Sequence, residues 1–305
     1  MTVTAIETGD HGQSHIDAAR SRVDACLATL IPTPETWPRQ LHAAQRHALL
    51  SPGKRFRPLL TVFLARSCGL DSSRVDAAME VGCAVEMVHA ASLILDDLPC
   101  MDDADLRRNQ PTTHVAFGES TAILSATALL NRAFGVIARN PALSAEQRAE
   151  LCDLLSYAVG STGLIAGQMA DLDNTGQASK PEIERVNHLK TGALFDFAAD
   201  AAAILAGSPA AQRAALKDFS RQIGLAFQLL DDIKDVLQSP AQSGKTSGRD
   251  EGKTTLVATQ SMDETKALLE GYLGNAKMAL ARAGMNETDT LIALIDQQFA
   301  FLRDL

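Results

Sequence analysis

Two pairs of aspartates and, a few residues later, two arginines follow one apolar stretch of the chain. Residues 86–108 read EMVHAASLILDDLPCMDDADLRR, and their charged side chains include Asp96, Asp97, Asp102, Asp103, Arg107 and Arg108. Carboxylates at close range raise one another's pKa unless a positive charge neutralises them. Oxygen ligands without Cys or His favour Mg²⁺, which is completed by waters and substrate phosphates. With the arginines as phosphate partners, the stretch predicts a metal–diphosphate site at the end of an apolar helix.

A second acidic cluster argues against the simpler interpretation, in which the first is a solvated surface loop. Residues 227–235 read FQLLDDIKD, in which Asp231 and Asp235 share a helix face and Asp232 lies about 100° round the helix. The basic residues in and after this stretch are Lys234, Lys245, Arg249 and Lys253. Two such clusters on separate helices are suited to hold one diphosphate through several metal ions.

A basic turn lies further upstream, where Ser51-Pro52-Gly53 interrupts the chain and Lys54, Arg55 and Arg57 open the next helix. A helix N-terminus already carries partial positive charge, so cations there are unfavourable unless an anion binds. The turn therefore predicts a second diphosphate site. The alternative is a basic surface turn.

Glu86 and His89 form an E-x-x-H pair on the helix that leads to the first aspartates. A di-iron bundle uses this spacing, but it needs a second copy on a facing helix, and the sequence has none. His89 lies two turns before Asp96 on the same face. It is either a substrate ligand or a hydrogen-bonded interior histidine.

Composition and charge limit the class of protein. The 305 residues are 46% hydrophobic but only 4% aromatic, so Ala and Leu, which are strong helix formers, must supply the packing. A net charge of -9 argues against nucleic acid or an anionic membrane as partner. The five cysteines include no C-x-x-C pair, which indicates free thiols in a reducing cytosol. Residues 1–20 lack the apolar core of a signal peptide, and the uncharged run 154–170 contains three glycines, so no membrane span is expected.

Helical patterns fill the chain, and no convincing strand or repeat is visible. Residues 1–13 are expected to be a flexible N-terminal tail, followed by a helix over 14–30. The loops after it are too short to mark a boundary. We therefore expect residues 14–305 to form a single all-α domain.

Taken in order, these motifs resemble the trans-type isoprenyl diphosphate synthases, from roughly residue 40 onward. The stretches that carry the resemblance are GKRFRP (53–58), His89, DDLPCMDD (96–103), Lys190-Thr191, Phe227-Gln228, DDIKD (231–235), Gly244-Lys245 and Lys253. Within that family, HAASLILDDLPCMDDADLRR is most similar to the bacterial geranylgeranyl diphosphate synthases. Pro52 replaces a glycine that is common in the family.

The resemblance implies an all-α, single-domain bundle of about 10–13 helices around a central apolar cavity. It implies Mg²⁺-dependent head-to-tail condensation of isopentenyl diphosphate with allylic prenyl diphosphates, with geranylgeranyl diphosphate as the expected product. About three Mg²⁺ ions, a cytoplasmic location and a homodimer are also implied.

The resemblance also assigns roles to residues. The implied metal ligands are Asp96, Asp97, Asp102, Asp231, Asp232 and Asp235. The implied ligands of isopentenyl diphosphate are Lys54, Arg57, His89 and Arg108. The implied ligands of the allylic diphosphate are Arg107, Lys190, Thr191, Gln228, Lys245 and Lys253. Lys190, Thr191 and Gln228 are also expected to be catalytic, because they would stabilise positive charge on the allylic carbon.

Two further stretches have expected roles. Loop 238–254 holds two Gly-Lys-Thr triplets but no complete P-loop, so we expect a lid that carries Lys245 and Lys253 onto the diphosphate. Gln168 and Asp171 resemble a supporting polar pair of the family.

Chain length is expected to be set on the same apolar helix, one turn before Asp96, where Ala91 and Ser92 are both small. A bulky aromatic residue at the position of Ala91 goes with shorter products in the family, so growth past the fifteen-carbon stage is expected. Met87 and Val88 are candidates for the floor of the tunnel, as are residues of facing helices.

Three alternatives to geranylgeranyl diphosphate synthesis follow from the same motifs. One is a farnesyl or other short-chain synthase. Another is a class I terpene cyclase, although a second aspartate motif and a separate basic site argue against it. The last is a noncatalytic subunit that binds prenyl diphosphates, which would be expected to lack one aspartate motif.

Overall fold

A computed structural model describes residues 4–173, 179–237, 256–257 and 260–304. Its α-helices in these ranges are α1 (Thr4–Leu30), α2 (Arg39–Leu49), α3 (Phe56–Ser67), α4 (Val75–Asp96), α5 (Thr113–Phe117), α6 (Glu119–Arg139), α7 (Ala145–Val159), α8 (Leu164–Leu172), α9 (Lys180–Asn187), α10 (Ala193–Ala206), α11 (Ala210–Leu237), α12 (Met262–Arg282) and α13 (Asp289–Gln298). The predicted all-α class is confirmed. A two-residue antiparallel pair, β1 (Leu106–Arg107) and β2 (Gln110–Pro111), lies between α4 and α5.

Local sequence signals set several helix boundaries. At the start of α7, the Ser144 hydroxyl accepts from the backbone N–H of Gln147 at 3.1 Å in a capping box. Asp71 accepts from the N–H of Ser73 at 2.8 Å and so caps the 3₁₀ turn that leads into α4. Pro181 stands in the first turn of α9, as expected.

The N-terminal helix begins earlier than the pattern predicts. It starts at Thr4, whereas the prediction placed the start at about residue 14. Apolar periodicity begins only near Ile16, which is buried in the core. A helix that has nucleated there can extend through a polar segment, because adding a residue costs far less than starting a helix. The division into a tail and one domain stays a prediction.

Helix α4 lies at the centre of the bundle and packs against α1, α2, α3, α6 and α10. Its side chains are buried all round, because nearly every position from Ala77 to Ala91 is apolar. Helix α10 is similarly buried and rich in alanine, and it packs against α3, α4, α7 and α11. The acidic end of α4 and the acidic end of α11 are thereby fixed to one core.

Two described stretches, Ser72–Asp96 and Glu119–Arg139, are long and apolar enough to cross a membrane by length and composition alone. In the first, 72% of the most apolar window is buried inside the protein, compared with 39% in the second. Core helices of soluble proteins pass the same test, so this is weak evidence for a span. The second value shows that α6 leaves much apolar surface uncovered.

Candidate active site

The first aspartate motif is built by the C-terminus of α4 and a loop that folds back onto it. The helix ends at Asp96, and the N–H of Asp102 donates to the carbonyl of Asp96 at 2.8 Å. The N–H of Asp103 donates to the carbonyl of Leu98 at 2.9 Å. The residues inserted between the aspartate pairs therefore form a closed turn that returns Asp102 to Asp96. A helix C-terminus carries partial negative charge, which adds to the attraction for cations here.

The partly buried carboxyl of Asp96 is in an unfavourable environment for its charge. Burial, together with the nearby carboxylates of Asp102 and Asp97, raises its pKa to about 6, although Lys190 and Arg107 oppose the rise. The protein's own cations thus compensate this charge incompletely. An additional cation bound at Asp96 would complete the compensation.

The carboxylate of Asp97 forms an ion pair with Arg107. Arg107 donates from Nε to both oxygens of Asp97, at 2.8 and 3.0 Å, and from Nη2 to Oδ1 at 2.6 Å. Burial raises the pKa of Asp97, and this ion pair opposes that rise. Asp97 is therefore engaged by Arg107, which the sequence assigned to a diphosphate. The role of Asp97 as a metal ligand stays a prediction.

The second motif, near the end of α11, connects to the Lys190-Thr191 pair through hydrogen bonds. The hydroxyl of Thr191 donates to Oε1 of Gln228 at 2.7 Å, and Nε2 of Gln228 donates to Oδ1 of Asp232 at 2.8 Å. Asp231 and Asp235 lie on the same last turns of α11. Because Lys190 also acts electrostatically on Asp96, the turn that bears Lys190 and Thr191 lies between the two acidic clusters.

Lys190 and Thr191 occupy a π-helical turn, His188–Gly192, between α9 and α10. Such π turns inside helices are frequent at functional sites. Lys190 Nζ donates to Oδ2 of Asp171 at 2.7 Å, so Asp171 holds the Lys190 side chain in place. Nε2 of its predicted companion, Gln168, is buried without a hydrogen-bond partner among the described residues.

Gly167 allows α8 to approach this turn. A Cβ atom at Gly167 would lie 2.3 Å from the backbone N of Lys190 and 2.7 Å from the carbonyl carbon of Leu189. Real Cβ atoms essentially never approach backbone this closely, so only glycine fits. The close packing at Gly167 thus fixes the position of Lys190.

The first turn of α3, directly after the basic turn, holds a buried cation. Arg57 is 7% exposed, and its guanidinium carbon lies 4.7 Å from the ring centre of Phe195 and 5.0 Å from that of Phe227. Its Nε has no hydrogen-bond partner among the described residues. Burial lowers the pKa of Arg57, whereas the carboxylates of Glu86 and Asp231 oppose that change. A buried guanidinium with an unused donor is suited to bind an anion.

Three other predicted ligands lie around Arg57. Burial and the charge of Lys234 lower the pKa of Lys54, which Asp231 counteracts. Burial and then the charges of Arg57 and Arg108 hold the pKa of His89 well below its usual value, so His89 is a neutral hydrogen-bonding group. Arg108 donates to the hydroxyl of Ser51 at 3.2 Å. The structure thus brings Lys54, Arg57, His89 and Arg108 into one region.

Glu86 pairs with Arg55, so it is not available for a di-iron site with His89. The two side chains form a buried ion pair of 3.0 Å. Sequence reasoning missed a role for Arg55, which also bonds Asp24 at 2.7 Å. It also missed Phe195, because nothing local to α10 indicates contact with Arg57.

Of the four residues expected to set chain length, three are buried in the core and Ser92 is partly buried. Met87, Val88 and Ala91 are buried, and the hydroxyl of Ser92 donates to the carbonyl of His89 at 2.9 Å. A pocket lies beside α4. Its apolar wall on α4 consists of Ala90, Leu93 and Ile94. His89 lines the same pocket together with Arg55, Arg107 and Arg108. The roles of Met87, Val88, Ala91 and Ser92 stay predictions.

The whole of the predicted lid, 238–254, lies outside the described residues, and Lys245 and Lys253 lie within it. The described part of the chain ends at Leu237 before this segment and resumes at Leu256 after it. The contribution of these lysines is therefore an expectation from the sequence alone.

Magnesium fits the donor set on chemical grounds. Among the described residues, no three Asp, Glu, His or Cys side chains form a ready-made metal site. Mg²⁺ does not require one, since it commonly binds through one or two carboxylates and is completed by substrate phosphates. A partly buried Asp96 whose charge is incompletely compensated, with Asp102 beside it, matches that mode of binding.

An all-helical fold with two acidic motifs and a buried arginine site defines the isoprenoid-synthase class. A model of the polyprenyl synthetase family matches residues 38–284. The geranylgeranyl diphosphate synthase of Pseudescherichia vulneris is 41% identical over 283 residues, 92% of this chain and 90% of that protein. The chain belongs to the polyprenyl synthetase family, and it is a prenyltransferase.

Solved structures agree with this assignment. An FPP/GFPP synthase from Zymomonas mobilis has a TM-score of 0.83 at 32% identity and covers 96% of this chain and 99% of its own. A geranyltransferase from Helicobacter pylori, in complex with magnesium and isoprenyl diphosphate, has a TM-score of 0.80 at 28% identity and covers 96% of each chain. The helical bundle of this chain is therefore that of known prenyl diphosphate synthases.

Proposed function

We propose that this enzyme condenses isopentenyl diphosphate head-to-tail with allylic diphosphates and releases geranylgeranyl diphosphate. The observation that carries the proposal is the buried Arg57, whose Nε has no hydrogen-bond partner in the part of the chain that the structure describes. Because it packs against the rings of Phe195 and Phe227 and lies near Asp231, it offers a separate anion site beside the second acidic motif. A cyclase, which takes one diphosphate, has no use for a second site. The name of the Pseudescherichia vulneris relative supports the product.

The allylic diphosphate is proposed to bind between the acidic motifs. Asp96, Asp102 and Asp231 would hold about three Mg²⁺ ions, with help from Asp97, Asp232 and Asp235. Magnesium supplies stabilisation of the negative charge on the leaving diphosphate. The magnesium in the Helicobacter pylori complex supports this part of the proposal. Lys190 and Arg107 add fixed positive charge, as Lys245 and Lys253 are expected to do.

The reacting carbon is proposed to lie at the π turn. When the allylic C–O bond breaks, the electron pair leaves with the diphosphate and positive charge remains on carbon. The dipoles of Thr191 and Gln228 are already oriented by their mutual hydrogen bond of 2.7 Å, so they can stabilise that charge without reorganising. The isopentenyl double bond then attacks the carbon, and the released diphosphate accepts the proton that is lost.

Isopentenyl diphosphate is proposed to bind Lys54, Arg57, His89 and Arg108. The neutral His89 can donate one hydrogen bond, and the guanidinium groups supply charge. Holding the double bond against the allylic carbon is an effect of orientation, which can lower a barrier by several kcal/mol.

The decisive experiment is mass analysis of products formed from isopentenyl diphosphate, Mg²⁺ and each allylic starter in turn. A twenty-carbon diphosphate as final product is the expected result. A fifteen-carbon end product would show a farnesyl diphosphate synthase. Hydrocarbon or cyclic alcohol from an allylic diphosphate alone would show a cyclase, and inactive folded protein would show a noncatalytic subunit.

Ala91→Phe should shift the products to shorter chains. Ala91 is 2% exposed on α4 one turn before Asp96, so a phenyl ring there would narrow the space below the allylic diphosphate. The measurement is the chain-length distribution by mass spectrometry. Ser92→Ala, which keeps a small side chain, is the control. An unchanged distribution in folded Ala91→Phe protein would place the tunnel elsewhere.

We further propose a soluble, cytoplasmic homodimer that pairs through α6. Only 39% of its most apolar window is buried, and Ile123 and Leu124 are exposed there. Exposed apolar patches of this kind mark protein contacts. A second copy of α6 would cover this face in an isologous interface.

Leu124→Glu is expected to convert the dimer to monomer, because it places a charge in the proposed apolar contact. Light scattering coupled to gel filtration measures the mass. Ile165→Glu on α8 removes an equally exposed apolar residue outside α6 and should leave the mass unchanged. Dimeric Leu124→Glu protein would contradict the proposal.

A further inference from the structure

A buried carboxylate lies among the arginines of the proposed isopentenyl diphosphate site, and the reaction does not use it. This is Glu86, 4% exposed on the central helix α4. We propose that Glu86 is a positioning residue: it locks Arg55, and with it the turn 51–55, so that Lys54, Arg57 and Arg108 are arrayed before isopentenyl diphosphate binds. This inference rests on the proposed function, since it needs the diphosphate to bind there.

The first support is the way Arg55 is held. Nη1 donates to Oε1 of Glu86 at 3.0 Å, Nε donates to Oδ1 of Asp24 at 2.7 Å, and Nη2 donates to the carbonyl of Ser51 at 2.7 Å. The Arg55 and Glu86 side chains are almost wholly buried, whereas Asp24 is half exposed. Glu86 is thus the buried partner that anchors the Arg55 guanidinium. The same guanidinium closes the turn by its hydrogen bond to the carbonyl of Ser51.

The second support is the backbone of Arg55. Its φ is 49°, in the left-handed region, immediately before α3 begins at Phe56. A non-glycine residue stays there only when its surroundings over-determine it, and three hydrogen bonds on the side chain do so. The left-handed conformation of Arg55 changes the direction of the chain between Lys54 and Arg57. Both side chains are close enough to Asp231 to interact with its charge.

The third support is a direct contact from the turn to Arg108. Arg108 Nη1 donates to the hydroxyl of Ser51 at 3.2 Å, and a Cβ at Gly53 would lie 2.8 Å from the same nitrogen. Displacing the turn therefore displaces Arg108. The ion pair between Glu86 and Arg55 therefore influences the positions of Arg57 and Arg108, although neither of them is part of the pair.

Charge gives Glu86 a second effect on the site. Burial lowers the pKa of Arg57 and of Arg108, and in each the carboxylate of Glu86 is the first influence that opposes it. Its hydrogen bond goes to Arg55, while Nε of Arg57 stays unpaired among the described residues. Glu86 thus partly offsets the cost of burying the charges of these two arginines without occupying that donor.

Glu86→Gln tests the proposal because it keeps the shape of the side chain but removes the charge that anchors Arg55. We expect KM for isopentenyl diphosphate to rise about tenfold, with KM for the allylic diphosphate within about twofold and kcat little changed. A merely structural role would not separate the two substrates. Glu86→Asp retains the charge and should restore much of the affinity.

The control is Glu80→Gln, which removes a carboxylate from the same helix. Glu80 accepts from Asn140 at 2.9 Å, away from the arginines, so both KM values should stay near normal. If Glu86→Gln fails to fold, Arg55→Lys, which loses the fork to Asp24 and Ser51, should give the same split between substrates. Equal changes in both KM values, or none, in either folded variant would overturn the inference.

Arg57→Met separates this inference from the proposed function. If Arg57→Met leaves KM for isopentenyl diphosphate unchanged, the binding site itself is misassigned. If Arg57→Met raises it strongly and folded Glu86→Gln does not, only the role of Glu86 is wrong.

Discussion

Asp96→Ala and Asp231→Ala are each expected to lower kcat about 10³-fold, with little loss of fold. Asp96 is the partly buried last residue of α4, and burial together with the carboxylates of Asp102 and Asp97 raises its pKa to about 6. Removing it would relieve that repulsion, so stability should not fall. Activity should fall, because the leaving diphosphate would lose an anchor for its metal ions.

The measurement is steady-state turnover at several Mg²⁺ concentrations, together with thermal unfolding. Asp103→Asn is the matched control, since it lies in the same loop with a φ of 46°, a conformation that Asn tolerates. Its kcat should stay within about twofold of the parent. Near-normal turnover in Asp96→Ala or Asp231→Ala would disprove the metal assignment.

Gly167→Ala is expected to lower kcat about 100-fold through Lys190. The new Cβ would lie 2.3 Å from the backbone N of Lys190, so either α8 or the π turn must move. A displacement of about 1 Å near the reacting carbon can cost a factor of about 100 in rate. Thr191, which is held to Gln228, would move with the turn.

Gly271→Ala provides the comparison for Gly167→Ala. Gly271 lies inside α12 with nothing within 4 Å of a Cβ built on it. Replacing it should leave kcat unchanged and stabilise the protein by about 1 kcal/mol through helix propensity. Thermal unfolding and turnover of both variants give the test, and full activity in Gly167→Ala would show that the turn tolerates the shift.

The helices and motifs were accessible from the sequence because their signals are local. The capping box at Ser144 and the break at Lys190 depend only on neighbours in the chain, and the structure contains both. The resemblance then identified the family correctly.

Pairings between distant elements could not be predicted. Arg107 binds Asp97 only because the loop after α4 folds back. The left-handed Arg55 depends on Asp24 of α1 and Glu86 of α4.

The wall of the pocket was also hidden from sequence reasoning. Periodicity identifies a buried face when polar residues mark the other one. Helix α4 is apolar all round, so its sequence does not distinguish the face with Ala90 and Leu93 from the face with Met87 and Ala91. The direction of the pocket depends on which neighbouring helices pack against each side.

The turn that joins the two aspartate pairs is closed by the backbone, from the N–H of Asp102 to the carbonyl of Asp96. The spacing of these carboxylates therefore does not depend on the side chain of Cys100, which is the exposed cysteine of the five. A fluorophore or spin label attached to Cys100 would sit a few residues from both carboxylates while leaving their scaffold intact. Such a reporter would follow the binding of ions and ligands in solution, in an enzyme that is otherwise unmodified.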